Sequence, residues 1–102
     1  MQYAYNITTL VPEDIRDEWV KWFIETHIRQ MLDTGLVAQH YLYRLKDTDE
    51  SEGITYTLQL GFLKEDDFLQ FRQIHEEEFR KKRLEKWGNA CLSFISSMEV
   101  IH

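Results

Sequence analysis

The stretch from Ile54 to Phe62 constrains the fold more than any other part of the chain. Ile54, Tyr56, Leu58, Leu60 and Phe62 share one parity, and Thr55, Thr57, Gln59 and Gly61 share the other. Side chains along a strand alternate between its two faces. One side of this segment is therefore apolar and the other largely polar, so it belongs in a sheet with one face against a core and the other toward something more polar.

Four glycines and one proline punctuate the rest of the chain. Residues 2–10, rich in aromatic and β-branched types, suit a first strand. Pro12 fits the first turn of a helix, where its missing N–H is not needed, and Glu13 and Asp14 place negative charge at the positive end of the helix dipole. No breaker interrupts residues 13–33, and Thr34-Gly35 closes that helix. Residues 36–46, with Tyr41, Leu42, Tyr43 and Leu45, read as a second strand, and 47–53 as a polar turn. A second helix is expected over 65–87, with Glu65, Asp66 and Asp67 first and Lys81, Lys82, Arg83 and Lys86 last. Gly88-Asn89 ends it, and residues 91–101 complete the set as a fourth strand.

The order is βαββαβ within 102 residues, the size of one domain spanning 1–102. Two helices cannot cover both faces of a four-stranded sheet, so they lie on one side. Right-handed crossovers then give an α+β, ferredoxin-like sandwich with a four-stranded antiparallel sheet. Its uncovered face carries Gln2, Ala4 and Asn6 or their parity mates, with Thr55, Thr57 and Gln59. In the last strand Leu92, Phe94, Met98 and Val100 share one side, and Cys91, Ser93, Ile95, Ser97 and Glu99 the other. A mixed face of this kind is either solvated or packed on the same face of a second copy as an isologous two-fold interface. The first helix favours the second reading. Ile15, Trp19, Trp22 and Phe23 form one stripe, with Val20, Ile24, Ile28 and Met31 further round, an arc wider than one core contact needs. A homodimer is expected.

Composition removes several function classes. A net charge of −6 argues against sequence-independent nucleic-acid binding, which needs a basic footprint. RNA-recognition domains share this strand order, but their third strand carries a basic-Gly-aromatic signature, and here it reads Gly53-Ile54-Thr55-Tyr56-Thr57-Leu58. No apolar run approaches the ~20 residues of a membrane span, so no membrane partner is expected. A lone cysteine, Cys91, and an N-terminus unlike a secretory signal point to the cytoplasm. The acidic turn begins Asp47-x-Asp49-x-Ser51 like a calcium loop, but its glycine falls one position late and Leu58 stands where a bidentate Glu is required. Glu76-Glu77-Glu78 followed by Arg80-Lys81-Lys82-Arg83 reads as a solvated helix face or a docking surface for another protein.

Two histidines stand out. His27 lies four residues from Phe23 and from Met31, and His75 four from Phe71 and from Phe79. An imidazole among aromatics is either a satisfied core residue or, with an unperturbed pKa near ~6.5, a proton shuttle. If both helices line a cleft over the sheet, His27 and His75 become candidate catalytic residues. Trp22, Tyr56 and Phe71 would then be candidate ligand-binding walls for a flat small molecule. No metal is expected, since neither histidine has a His or Cys partner at ligand spacing and His40 sits apart on a strand. His75 could serve as one axial haem ligand, but nothing else asks for haem, and no cofactor is expected.

Asp17-Glu18-Trp19-Val20-Lys21-Trp22, His27-Ile28 and Thr34-Gly35 resemble an uncharacterised bacterial family, number 4286 among the domains of unknown function. Thr55-Tyr56 with Gln59, then His75, then Arg83-Leu84-Glu85-Lys86-Trp87-Gly88 continue the likeness, which spans Tyr5 to Val100. The chain departs from that pattern at Arg29, where the family tends to proline, and at Glu76, where a small residue is common. The resemblance implies a dimeric α+β barrel of ferredoxin-like type and supplies no activity. The wider barrel group includes cofactor-independent monooxygenases, lactone isomerases and haem enzymes, so the fold alone chooses no chemistry. The reading that results is a small-molecule-binding dimeric α+β barrel. The alternatives are a cofactor-independent monooxygenase- or isomerase-type enzyme and a protein–protein interaction module.

Overall fold

A computed structural model describes all of residues 1–102. Four strands, β1 (Tyr3–Val11), β2 (Gln39–Arg44), β3 (Ile54–Phe62) and β4 (Leu92–Glu99), form one antiparallel sheet in the order β2-β3-β1-β4. Two helical segments, α1 (residues 13–32) and α2 (residues 65–87), follow β1 and β3. This is the α+β, ferredoxin-like arrangement. The second strand is shorter than expected from its sequence. Leu36 and Val37 are used instead as a lead-in packed on the core, and the Ala38 N–H donates to the Gly61 carbonyl at 2.8 Å just before β2 begins. The fourth strand likewise stops at Glu99 rather than running to Ile101.

Parity decides what each strand buries. Tyr5, Ile7 and Val11 of β1 and Ile54, Leu58, Leu60 and Phe62 of β3 point into the core with Trp19, Phe23, Phe71 and Phe79 from the helices. Trp19 stacks on Phe23 at 4.4 Å and on Tyr56 at 5.2 Å, and Phe71 lies 5.9 Å from Phe79. Ring pairs of this kind add ~0.5–1.5 kcal/mol each beyond area burial. Gly53 has a φ of +139°, and a Cβ there would stand 2.5 Å from the Val11 carbonyl oxygen, so the turn into β3 requires glycine.

Neither helix is a uniform α-helix. α1 opens with a 3-10 turn at Glu13–Ile15, runs as α-helix over Arg16–Trp22, widens to π geometry over Phe23–Ile28 and tightens again over Arg29–Leu32. α2 does the same, with a π segment at Phe71–His75 between Glu65–Gln70 and Glu76–Trp87. The widened turn of α1 lets the consecutive residues His27 and Ile28 both be buried. π turns inside helices are rare and recur at functional sites.

β4 is the exception to the layer rule. It pairs with β1 along its length, yet all eight of its residues are exposed. The register places Ser93, Ile95, Ser97 and Glu99 opposite Thr9, Ile7, Tyr5 and Tyr3, on the helix side of the sheet. Leu92, Phe94 and Met98 are opposite Leu10, Thr8 and Ala4, on the open side, where Leu92 is 71% and Phe94 63% exposed. Tyr41 and Tyr43 of β2 lie on that same open side with rings 6.0 Å apart. The open face thus has apolar groups along both outer strands and Asn6, Thr8, Thr55, Thr57 and Gln59 between them.

Candidate functional site

Because the helix layer stops short of β4, a cleft runs between α2 and the helix side of that strand. At one end Tyr5, Arg72, Glu76, Ile95 and Ser97 help to enclose about 370 Å³. At the other, Trp19, Leu84, Trp87, Cys91 and Ser93 help to enclose about 290 Å³. Arg80, Arg83 and Ile95 line both parts, so the two join at the arginines. Arg72, Glu76, Arg80, Arg83 and Trp87 recur at helical spacing, which places them along one side of α2.

The charges in the cleft are unevenly matched. Arg72 donates to Ser97 Oγ at 3.2 Å and lies 3.5 Å from Glu76. Arg80 makes two bonds to Glu77, at 2.8 and 2.6 Å. Arg83 has no carboxylate at salt-bridge distance; its Nη1 lies 3.2 Å from His27 Nε2. An arginine carries donors only, so His27 Nε2 must be the acceptor, which places the imidazole proton on Nδ1. Nδ1 is buried without a protein partner, and so is the Trp87 indole nitrogen. Burial pushes the Arg83 guanidinium down from its usual value, while Tyr5 and Glu76 oppose this. Burial first, then Glu76, pushes the Tyr5 phenol up. Burial likewise raises the Cys91 thiol and favours its protonated form.

The residues singled out from the sequence do not meet in one pocket. His27 is fully buried, stacked on Trp22 at 4.7 Å and edge-on to Phe79 at 5.6 Å. Burial, then Arg83 and Lys82, lowers its pKa to about 3. It is a neutral hydrogen-bond acceptor behind Arg83, which sets it apart from a proton shuttle working near pH 7. His75 is half-buried on the outer part of α2, with Nδ1 3.9 Å from Glu78 and Phe79 between it and His27. Phe71 is core, packed against Tyr5 and Phe62. Tyr56 sits under Trp19 and borders a separate groove with Arg16 and Val20. Trp22 reaches toward the cleft only through its edge contact with Trp87, at 6.0 Å. Sequence reasoning passes over Arg72 and reads Arg80 and Arg83 as part of a charged run that is a solvated face or a docking surface for another protein. No three His, Cys, Asp or Glu side chains converge as metal ligands. No helix is long and apolar enough to cross a membrane.

The model of a family described as a domain of unknown function (DUF4286) matches residues 2–101. The chain belongs to that family. No curated protein matches it. Among solved structures it is similar to a dimeric ferredoxin-like protein from an uncultured marine organism. That pair has 11% identity and a TM-score of 0.71, covering 100% of this chain and 98% of the other. It is also similar to an ethyl tert-butyl ether d (ethd) family protein from Bacillus halodurans, at 14% identity and TM-score 0.70 over 98% of this chain and all of that one. SnoaB, a cofactor-independent oxygenase from Streptomyces nogalater, follows at 14% identity and TM-score 0.64, over 100% of this chain and 96% of its own. At these identities the likeness establishes the shared fold of this DUF4286 member and leaves its chemistry to its own residues.

Proposed function

We propose that the chain is a small-molecule-binding domain whose ligand lies in the cleft between α2 and β4, and that it works as a homodimer. The observation that carries the first part is Arg83, a partly buried cation turned to the cleft with a neutral imidazole behind it and no carboxylate beside it. A buried charge without a counter-charge is costly unless something completes it. Aromatic and aliphatic walls with a few polar groups are the usual lining of a ligand site.

The dimer reading rests on the open sheet face. Tyr41 and Tyr43 at one border and Leu92, Phe94 and Met98 at the other leave apolar side chains unburied on one surface. A two-fold axis over the polar centre would let a second copy cover both borders with the same patch. The solved structure from the uncultured marine organism is itself described as dimeric. The compartment we favour is the cytoplasm, a reading supported by the single cysteine, Cys91, which leaves no internal disulfide to form.

Native mass spectrometry of protein purified gently from its own host tests both parts. Twice the 12.4 kDa chain mass with a reproducible adduct is the expected result. A bare dimer removes the support for a resident ligand, and a monomer at micromolar concentration refutes the dimer.

A further inference from the structure

We propose that the ligand of this cleft is a monocarboxylate on a flat apolar body, with its carboxylate on Arg83 and its body against Leu84 and Trp87. This rests on the cleft being the ligand site, and it names the chemical class. Of the three arginines that border the cleft, Arg72 is engaged by Glu76 and Ser97, and Arg80 by Glu77. Arg83 alone has no carboxylate at salt-bridge distance, Glu76 acting on it only through space, and it directs one N–H at His27.

A guanidinium fork matches a carboxylate through two parallel bonds. His27 holds that fork in place without competing for the anion, because it accepts through Nε2 and carries no charge. The charge of the ligand is limited from the other side. Glu76 and Glu77 border the same cleft and are matched by Arg72 and Arg80, so the three arginines and two carboxylates leave one positive charge, which a dianion such as a phosphate monoester would exceed. A single negative charge is the better match. The body of the ligand follows from the part of the cleft beyond Arg83, where Trp19, Leu84, Trp87 and Ile95 supply apolar surface around about 290 Å³. That space suits a two-ring skeleton.

The test compares 2-naphthoate with 2-naphthamide, which have the same body with and without the charge. Calorimetry gives affinity, and the Trp87 indole N–H signal in a two-dimensional NMR spectrum reports the place. Naphthoate is expected to move the Trp87 signal and to bind at least about tenfold tighter than the amide, the ratio that one charge-assisted pair supports. Arg83→Gln, which keeps a donor for His27, is expected to bring naphthoate down to the affinity of the amide. Equal affinities with Trp87 moving would overturn the carboxylate assignment and leave the cleft as a ligand site. Naphthoate binding unchanged in Arg83→Gln would overturn the role of Arg83. No movement of Trp87 with either compound at millimolar concentration would overturn both the ligand class and the site. The acid–amide comparison on the unaltered chain needs no variant to fold.

Discussion

Lowering the pH from 7 to 5 should destabilise this protein through one buried side chain, His27. Its pKa in the fold is about 3, against 6.5 for the ordinary imidazole, because burial and the nearby Arg83 and Lys82 charges disfavour the cation. Between these values the unfolded chain binds a proton that the folded chain does not. Stability contributed by the neutral form is therefore intact above pH 6.5 and falls as the pH approaches the folded value. At pH 5, about 1.5 units below the unfolded value, the loss is about 2 kcal/mol at ~1.4 kcal/mol per unit. The full span down to the folded value would cost about 5 kcal/mol. Asp49, held below the usual carboxylate range by Ser51, and Glu77, held there by Arg80, lose their contributions only at more acid pH, so the window from 7 to 5 isolates the histidine. Urea unfolding followed by tryptophan fluorescence at the two pH values measures the loss, which should appear as a midpoint drop of roughly 1 M for a domain of this size. His27→Gln keeps an acceptor for Arg83 but has nothing to titrate, so its midpoint should move far less. An equal drop in both proteins would refute the reasoning.

Phe94→Glu places a carboxylate at the centre of the apolar border on β4 and, on the proposed two-fold packing, should give a monomer whose own Tm is little affected, as read by light scattering and calorimetry. Gly53→Ala combines a φ of +139° with a Cβ 2.5 Å from the Val11 carbonyl oxygen. It should cost about 2 kcal/mol or more, lowering Tm by roughly 10 °C. Leu58→Ala, at a fully buried position in the middle of β3, should cost about 2–5 kcal/mol in a denaturant titration, whereas Leu63→Ala, exposed past the end of β3, should cost under about 0.5 kcal/mol.

The fold was legible because its signals are local and redundant. β3 has a strict two-residue alternation and ends where the alternation ends. α1 and α2 are bounded by residues whose conformations announce them, with Gly35 at φ +76° and Gly88 at φ +57° closing each helix. The π segments left no such trace. Phe23–Ile28 and Phe71–His75 contain no glycine or proline to mark the extra residue in each turn. A strict 3.6-residue period therefore misplaces the residues beyond each widened turn. The sequence puts His27 and His75 among aromatics on two different helices that would share a pocket if both lined one cleft, whereas His27 is enclosed and His75 is half-buried.

The site was harder to read because its signal is a correlation between two distant segments. Arg72, Glu76, Arg80 and Arg83 resemble the solvated side of a helix when α2 is read alone. Ser93 and Ser97 share one side of a strand that has Leu92, Phe94 and Met98 on its other side. The sequence leaves open which parity of β4 faces the helices, and the register against β1 decides it, putting the serines on the helix side and the large apolar residues on the open side. Polar residues of α2 then face polar residues of β4 across a gap, with Arg72 bonded to Ser97. A core-facing helix and a core-facing strand that are both polar cannot close on each other without stranding charge. The same register leaves β4 apolar outward, where a second copy would cover it. One strand thus borders both the cleft proposed to bind a ligand and the face proposed to pair with a second copy. Arg72→Ala, which removes the bond to Ser97, is expected to loosen β4 and raise amide exchange at Ser96 and Ser97. Unchanged exchange there would mean that pairing with β1 alone holds the strand.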